Sequence, residues 1–243
     1  MRDLRARIYG HYVHANGESL ARATVDAFVP RAATLRRMIR EHFPADHTSS
    51  ILDLGCGHGA FVYFLRQAGY RNVVGVDISP EQVAEAFRLD IEGIREGDLL
   101  ETLRSLPDHT QDVVIAFDVI EHFTKDELLP FVDEVFRVLK PGCRWLIHVP
   151  NGESPFVGTI RYGDMTHEQA FTRVSLSQLL LSSGFLRVEC SESGPIPTGL
   201  KSTVRWLLWR GIRLLLRVWG AAETGDLGRN AIFTRNFLAV AYK

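Results

Sequence analysis

The sequence predicts an α/β fold of the Rossmann-like type, a seven-stranded and mostly parallel sheet with helices on both faces. Short apolar strands alternate with helical segments along most of the chain, which is typical of parallel sheets. A glycine-rich segment at 55–59 directly follows the first strand and opens a helix, as in nucleotide-binding βα units. The 243 residues are 46% hydrophobic and suffice for one such domain with extensions.

The individual elements follow from apolar periodicity and from capping residues. Ser79 is the expected N-cap of one helix, with Pro80 as its first residue. Residues 20–43 have helical periodicity, with Pro30 as the expected break. Strands are predicted at 51–54, 72–77, just before 97, 112–117, 143–149, 185–190 and 233–241, and the other helices at 60–69, 80–89, 125–139 and 175–183. The predicted organisation is an N-terminal helical cap at 1–48 and a cofactor-binding domain at 49–243, with a helical insertion at 193–231.

Composition excludes several classes of protein. A formal net charge of -1 argues against nucleic acid as a partner. Cys56, Cys143 and Cys190 are far apart, so neither a zinc knuckle nor a disulfide framework is indicated. The charged start of the chain has no signal-peptide pattern, and no apolar run is long enough to span a bilayer. We therefore expect a cytoplasmic protein.

The glycine loop and the acids around it indicate the cofactor. Glycines let the backbone approach a ligand closely, and Gly55, Gly57 and Ala60 also satisfy the dinucleotide pattern, so NAD is the alternative. Asp53, two residues before the first glycine, would repel a pyrophosphate but would suit the amino and sulfonium groups of S-adenosylmethionine (SAM). Asp77 ends the second strand and could bind a ribose of either cofactor. Asp98 could accept a hydrogen bond from an adenine amino group.

Five segments together resemble the class I SAM-dependent methyltransferases, particularly the group of ubiquinone-biosynthesis O-methyltransferases and bacterial small-molecule and glycan methyltransferases. They are DLGCGHG at 53–59, VGVD at 74–77, GDL at 97–99, DVV at 112–114 and LKPG at 139–142. The resemblance covers roughly residues 49–185 and the last strand. It implies the methyltransferase variant of the Rossmann-like fold and is weakly specific for the substrate.

The resemblance also implies a set of cofactor-binding residues. The methionine part of SAM would contact Asp53, Gly55, Cys56, Gly57 and Gly59, and the adenosine part would contact Asp77, Ile78, Asp98 and Leu99, with Asp118 near the cofactor. In related enzymes an N-terminal helix closes over the cofactor. Tyr9 or Tyr12 could therefore touch SAM or substrate, and surface packing is the equal alternative.

The segment after the fourth strand is a candidate reacting centre. Asp118, Glu121 and His122 are spaced i, i+3, i+4, so a helical turn would put them on one face. The segment resembles one in ubiquinone-pathway enzymes, some of which bind a divalent cation there. Here the first acid is Asp instead of Glu, which weakens the inference of a metal. His122 is a candidate general base, and the alternative is that the Glu binds backbone while the His lines the pocket.

Residues 163–172 resemble a segment that lies over the acceptor pocket in related enzymes. Asp164 and His167 are therefore further candidates for the base or for orienting the substrate. The equal alternative is that Thr166 or Asp164 caps a turn while His167 bonds to the backbone. His148 is interpreted as an ordinary strand residue.

Residues 201–219 form a basic amphipathic segment with five cations, no acid and three tryptophans. On a helical wheel Arg210, Arg213, Arg217 and Trp206 share one arc. This is typical of a helix in a membrane interface, with arginines reaching lipid phosphates. A lid over the active site and a homodimer interface are the alternatives.

The sequence as a whole predicts SAM-dependent O-methylation of a sugar or small-molecule hydroxyl, with a lipid-linked glycan as one acceptor class. N- or C-methylation of a soluble metabolite is the first alternative. A non-catalytic peripheral membrane protein that retains the SAM fold, and an NAD-dependent oxidoreductase, rank below it.

Overall fold

The computed structural model describes residues 4–11, 24–228 and 230–243. Tyr12 and the beginning of the predicted 20–43 helix lie outside these residues. The helices are α1 (Leu4–Tyr9), α2 (Val29–His42), α3 (Ala60–Gln67), α4 (Pro80–Arg88), α5 (Leu99–Ser105), α6 (Lys125–Val138), α7 (Val157–Arg161), α8 (Arg173–Ser182) and α9 (Leu200–Thr224), with 3₁₀ turns at Val25–Phe28 and Ile120–His122.

Seven strands form one mixed sheet, which confirms the predicted fold class. They are β1 (Ser50–Leu54), β2 (Asn72–Asp77), β3 (Ile94–Glu96), β4 (Gln111–Phe117), β5 (Leu139–Pro150), β6 (Arg187–Glu192) and β7 (Asn236–Tyr242). Their order is β3-β2-β1-β4-β5-β7-β6. The first five pair in parallel, and β7 runs antiparallel to both of its neighbours.

The helices cover both faces of the sheet because the central strands are apolar on both sides. One core contains the inner faces of α5, α6 and α8, with Phe131 and Trp145 fully buried. The other contains α2, α3 and α4, with Ile51 and Phe61 buried. The five parallel strands therefore end at one edge of a rigid double layer, which is the edge where ligands bind in such folds.

Capping side chains mark the starts of two of the helices around the cleft, whereas the proline in α2 has a different role from the predicted one. Ser79 caps α4 by accepting from the backbone N–H of Gln82, as expected. Pro30 does not break a helix, because it lies in the first turn of α2. Backbone N–H groups in the first turn have no acceptor within the helix, so the missing N–H of a proline costs no hydrogen bond there. Asp98 caps α5 by accepting from the N–H of Glu101 at 2.9 Å.

The segment between β6 and β7 contains α9, a 25-residue helix in which no residue is fully buried. This helix occupies the predicted helical insertion, although the boundaries of the cap, domain and insertion remain predictions. None of the described helices combines the length and apolar character that crossing a bilayer requires.

The packing of α6 onto the sheet predicts a large cost for Phe131→Ala. Its ring is fully buried beside Phe123 and Trp145, so truncation should lower the free energy of unfolding by about 3–5 kcal/mol. Urea denaturation measures this, with Phe87→Ala as the control because Phe87 is 63% exposed. The control should change stability by about 0.5 kcal/mol or less. Equal effects of the two substitutions would contradict the packing.

Candidate active site

The glycine loop after β1 is held against the end of β2 by its own backbone. The N–H groups of Gly55 and Cys56 both donate to the carbonyl of Val76, at 2.8 and 3.1 Å. Gly55 has a φ of +69°, and a Cβ there would lie 2.4 Å from Cγ2 of Val119. A side chain at this position is therefore excluded both by the backbone conformation and by the space.

The Asp77 carboxylate joins two loops at the end of β2. One oxygen accepts from the N–H of Gly57 at 2.7 Å, and the other accepts from the N–H of Ser79 at 2.9 Å. Burial raises the pKa of this carboxyl, although the two backbone hydrogen bonds oppose the shift. Asp77 thus fixes the loop that faces the ligand and contributes to the lining of the same cleft.

A cleft of about 390 Å³ lies at the carboxyl ends of β1, β2 and β4. Seven of the residues that the sequence predicted for the cofactor contribute to its lining: Gly55, Gly57, Asp77, Ile78, Asp98, Leu99 and Asp118. The other three do not line it. Asp53 is buried at the end of β1, and Cys56 and Gly59 pack against Gly75 and Ile94 behind the loop.

Asp53 is a buried carboxylate that is incompletely satisfied. It is 2% exposed, and its Oδ2 atom has no hydrogen-bond partner. Burial, with a smaller contribution from the charge of Asp77, raises its pKa to about 8. An orphaned carboxylate beneath the glycine loop fits a ligand that brings a positive charge, as the methionine part of SAM does, and does not fit a pyrophosphate.

Helix α1 closes one side of the cleft, as expected for an N-terminal helix. Arg5 donates to the carbonyl of His122 at 2.9 Å and forms an ion pair with Glu127 at 2.7 Å. The backbone carbonyl of Tyr9 accepts from the Ser79 hydroxyl at 3.1 Å. The Tyr9 ring lies at the cleft with its centroid 6.1 Å from that of His122. Tyr9 is thus placed where a ligand would be, and Tyr12 lies outside the described residues.

The structure separates Asp118 from the helical turn to which the sequence assigned it. Asp118 has a φ of +55°, an unusual conformation for a residue with a side chain. Its Oδ1 atom accepts from Nδ1 of His148 at 2.8 Å and from Asn236 at 3.0 Å. Desolvation works against ionisation of Asp118, but the facing His148 outweighs it and lowers the pKa of the carboxyl. The expected shared helical face of Asp118, Glu121 and His122 is therefore wrong.

Glu121 and His122 instead lie beside His167. One potential ligand atom from each of the three lies within 4.8 Å of the others. Nδ1 of His122 contacts the Thr166 hydroxyl at 2.8 Å, and Nδ1 of His167 contacts the carbonyl of Ile160 at 2.9 Å, so their Nε2 atoms are the candidate ligands. Glu121 is fully buried and neither of its carboxylate oxygens has a hydrogen-bond partner. These three residues could hold a divalent cation.

Burial controls the protonation of this cluster. It raises the pKa of Glu121 well above its usual value, with a further contribution from Asp118. It also lowers the pKa of His122 to about 4, helped by the neighbouring His167. His122 is therefore a neutral imidazole near pH 7, whether it contacts a ligand or a metal.

The predicted catalytic residues Asp164 and His167 have strong structural roles. Asp164 accepts from the N–H and the hydroxyl of Thr166, at 2.8 and 2.6 Å, as a turn-capping residue does. His167 bonds to a backbone carbonyl, which was the alternative interpretation. Neither residue contributes to the lining of the cleft, whereas His122 does.

A second cavity of about 770 Å³ lies beside the cleft. His148 and Asn236 line it, while their partner Asp118 lines the cleft, so this hydrogen-bonded group separates the two spaces. Aromatic and cationic side chains contribute other parts of the wall: Phe156, Trp209, Phe233, Arg205 and Arg235. The sequence did not indicate His148, because its partner Asp118 is 30 residues away along the chain.

Comparison with known proteins agrees with this geometry. Residues 52–147 match a family described as "Methyltransferase domain". The chain is 35% identical over 136 residues to a "Probable S-adenosylmethionine-dependent methyltransferase" of Mycolicibacterium smegmatis, covering 56% of this chain and 51% of that protein. It is 26% identical over 208 residues to a small RNA 2'-O-methyltransferase of Mus musculus, covering 78% of this chain and 51% of that protein. It thus spans about half the length of each relative.

The fold also matches that of a SAM-dependent methyltransferase from Archaeoglobus fulgidus. The TM-score is 0.66 at 22% identity, covering 89% of this chain and 94% of the other. A Rossmann-like sheet with this glycine loop and these strand-end acids defines a nucleotide-type cofactor site. Residues 52–147 thus match a methyltransferase domain, and the chain is similar in sequence and in fold to SAM-dependent methyltransferases, whose cofactor is SAM.

The buried Asp53 predicts a pH dependence of stability in the ligand-free protein. Because the folded-state pKa of about 8 lies above the unfolded value of 3.8, folding is favoured most at low pH, and stability is lost as pH rises toward 8. Asp53→Asn should make this loss smaller, because only Asp77 and Glu121 with their raised pKa values would still contribute to it, and it should weaken SAM binding. Urea denaturation between about pH 5 and 8.5 measures the slope, and isothermal calorimetry measures the affinity. If the free energy of unfolding depended on pH equally in the wild type and the variant, Asp53 would not be the group with the raised pKa.

Proposed function

We propose that this chain transfers the methyl group of SAM to a hydroxyl acceptor that occupies the second cavity. The observation that carries the proposal is the group of Asp118, His148 and Asn236, which lies between the cofactor cleft and that cavity. A base at the boundary of two binding spaces can act on an acceptor in one while a donor lies in the other.

The cofactor would be held by groups at the ends of three strands. Asp53 would face the methionine amino group from beneath the loop, Asp77 would bind the ribose, and Asp98 and Leu99 would flank the adenine. When bound, SAM supplies an electrophilic methyl group on a sulfonium. The residues of the chain must align the acceptor with that group and exclude water from it.

His148 is the general base in this proposal, and Asp118 is its positioning residue. Nδ1 of His148 donates to Asp118, so the neutral ring has an unprotonated Nε2 that can take the acceptor's hydroxyl proton. Stacking of the ring on Phe117, with centroids 5.1 Å apart and planes within 8°, fixes its orientation. His122, which lines the cleft, is the alternative base. Asp164 and His167 would then support His122 through Thr166 and through direct ring contact.

The lining of the second cavity favours an acceptor with both apolar and acidic parts. Trp209 and Phe233 offer flat apolar surfaces, and Arg205 and Arg235 offer cations that suit a phosphate or carboxylate. A sugar or small-molecule hydroxyl on a phosphorylated lipid carrier has this chemistry. The mouse relative is a small RNA 2'-O-methyltransferase, which supports oxygen as the atom methylated. N- or C-methylation of a soluble metabolite is the alternative.

Methyl-labelled SAM tests the reaction and the acceptor class together. The protein would be incubated with membrane lipids and with soluble metabolites from a bacterial extract, each with and without EDTA. The proposal predicts label in the lipid fraction. Label confined to soluble metabolites would favour the alternative acceptor, and no label in either fraction would contradict methyl transfer. Loss of activity in EDTA would support a cation at Glu121, His122 and His167.

Substitution of the two candidate bases distinguishes them. His148→Ala should lower turnover by about 10²–10⁴-fold while SAM affinity is unchanged, because His148 does not line the cofactor cleft. His122→Ala should have the smaller effect on turnover. His47→Ala is the control, since His47 is an exposed histidine far from both spaces. Normal turnover of His148→Ala would contradict its role as the base.

A further inference from the structure

The outward surface of α9 is almost entirely apolar. Nine large hydrophobic side chains on this helix are exposed by 46% to 83%: Leu200, Val204, Leu207, Leu208, Ile212, Leu214, Leu215, Val218 and Trp219. At 100° per residue they occupy one continuous arc, and Gly211 and Ala222 complete it. An apolar surface of this extent on a described helix indicates a binding surface, because isolated exposed leucines are common but contiguous ones are not.

The opposite side of α9 is attached to the domain. Arg213 forms an ion pair with Glu192 at 3.1 Å, and Nε1 of Trp209 donates to the same carboxylate at 3.4 Å. Trp206 is half-buried, with the guanidinium of Arg210 4.8 Å from its ring centroid. The sequence-based orientation, in which the arginine arc reaches lipid phosphates, is therefore wrong, since Arg213 is directed toward the sheet.

Two exposed cations lie at the borders of the apolar arc, with Arg205 beside one border and Arg210 beside the other. A third exposed cation, Lys201 in the first turn, has the same angular position as Trp219 near the first border. No acidic residue occurs in the helix before Glu223. The surface thus combines an apolar centre with positive margins, which is the arrangement of helices that lie in the interface of an anionic membrane.

We propose that α9 docks the protein onto an anionic lipid bilayer, with the helix in the plane of the interface and its leucine arc among the acyl chains. Charge complementarity distinguishes this occupant from a second copy of the chain. Two copies facing each other through α9 would bring the marginal cations of one against those of the other, with no acid on the helix before Glu223 to neutralise them.

Docking in this orientation would bring the second cavity to the membrane. Ser202, Arg205 and Trp209, from the first half of α9, contribute to the wall of that cavity. An acceptor that resides in the bilayer would then reach the cavity beside the helix that contacts the lipid. Membrane docking itself does not require methyl transfer, so its test is independent of the proposed function.

Vesicle co-sedimentation tests the docking directly. The wild-type protein should bind phosphatidylcholine vesicles that contain phosphatidylglycerol, should bind pure phosphatidylcholine much more weakly, and should be released by salt. The double variant Leu208→Glu, Leu215→Glu should bind at least about 100-fold more weakly, because burial of each leucine contributes roughly tenfold or more. Phe87→Glu, at an exposed site on α4, is the matched control and should bind normally.

Two further measurements keep the result interpretable. Trp219 should shift its fluorescence to shorter wavelength when vesicles are added, and Trp219→Phe should abolish the shift although Trp145, Trp206 and Trp209 remain. Circular dichroism and calorimetric SAM binding should show that the double variant is folded. Absence of wild-type binding, or binding that the double variant retains, would overturn the proposal. A wild-type dimer that dissociates in the double variant without any vesicle binding would also overturn it and would assign the surface to a second copy.

Discussion

The hydrogen bonds from Gly57 and Ser79 to the Asp77 carboxylate are the constraint on which the cofactor cleft depends. They join the loop after β1 to the loop after β2 at distances of 2.7 and 2.9 Å. The parallel register of β1 and β2 brings the two loops together, and the glycines allow the backbone to reach the carboxylate. The core beneath them makes this edge rigid, so the lining of the cleft is formed before a ligand arrives.

Two buried carboxylates and one backbone position of unusual conformation near this edge are unfavourable for stability in the ligand-free protein. Asp53 and Glu121 are buried carboxylates with oxygens that have no hydrogen-bond partner. Asp118 has a left-handed backbone conformation. Desolvated groups of this kind cost free energy in the ligand-free protein unless a cation, a proton or a ligand satisfies them. Their concentration around one cleft is what a binding site requires and a purely structural domain does not.

Local patterns in the sequence predicted the sheet, the order of elements and seven of the residues that line the cleft, because these depend on short-range periodicity and on the loop between β1 and α3. The pairing of Asp118 with His148 and Asn236 could not be predicted in this way. Those residues are brought together by the β4–β5 and β5–β7 pairings, and a strand histidine has no local signal of function. Similarly, the helical wheel of α9 predicted an apolar arc but could not show which side of the helix faces the sheet. The ion pair between Arg213 and Glu192 of β6 fixes that orientation.

The identity of the cofactor that the cleft binds is the property on which the function of this protein depends most directly. Isothermal calorimetry of the ligand-free protein with SAM, S-adenosylhomocysteine and NAD measures this without any knowledge of the acceptor. We predict that SAM and S-adenosylhomocysteine each bind at one site per chain and that NAD does not compete. Binding of NAD in preference to SAM would contradict it, because the Asp53 carboxylate beneath the glycine loop would then face a pyrophosphate.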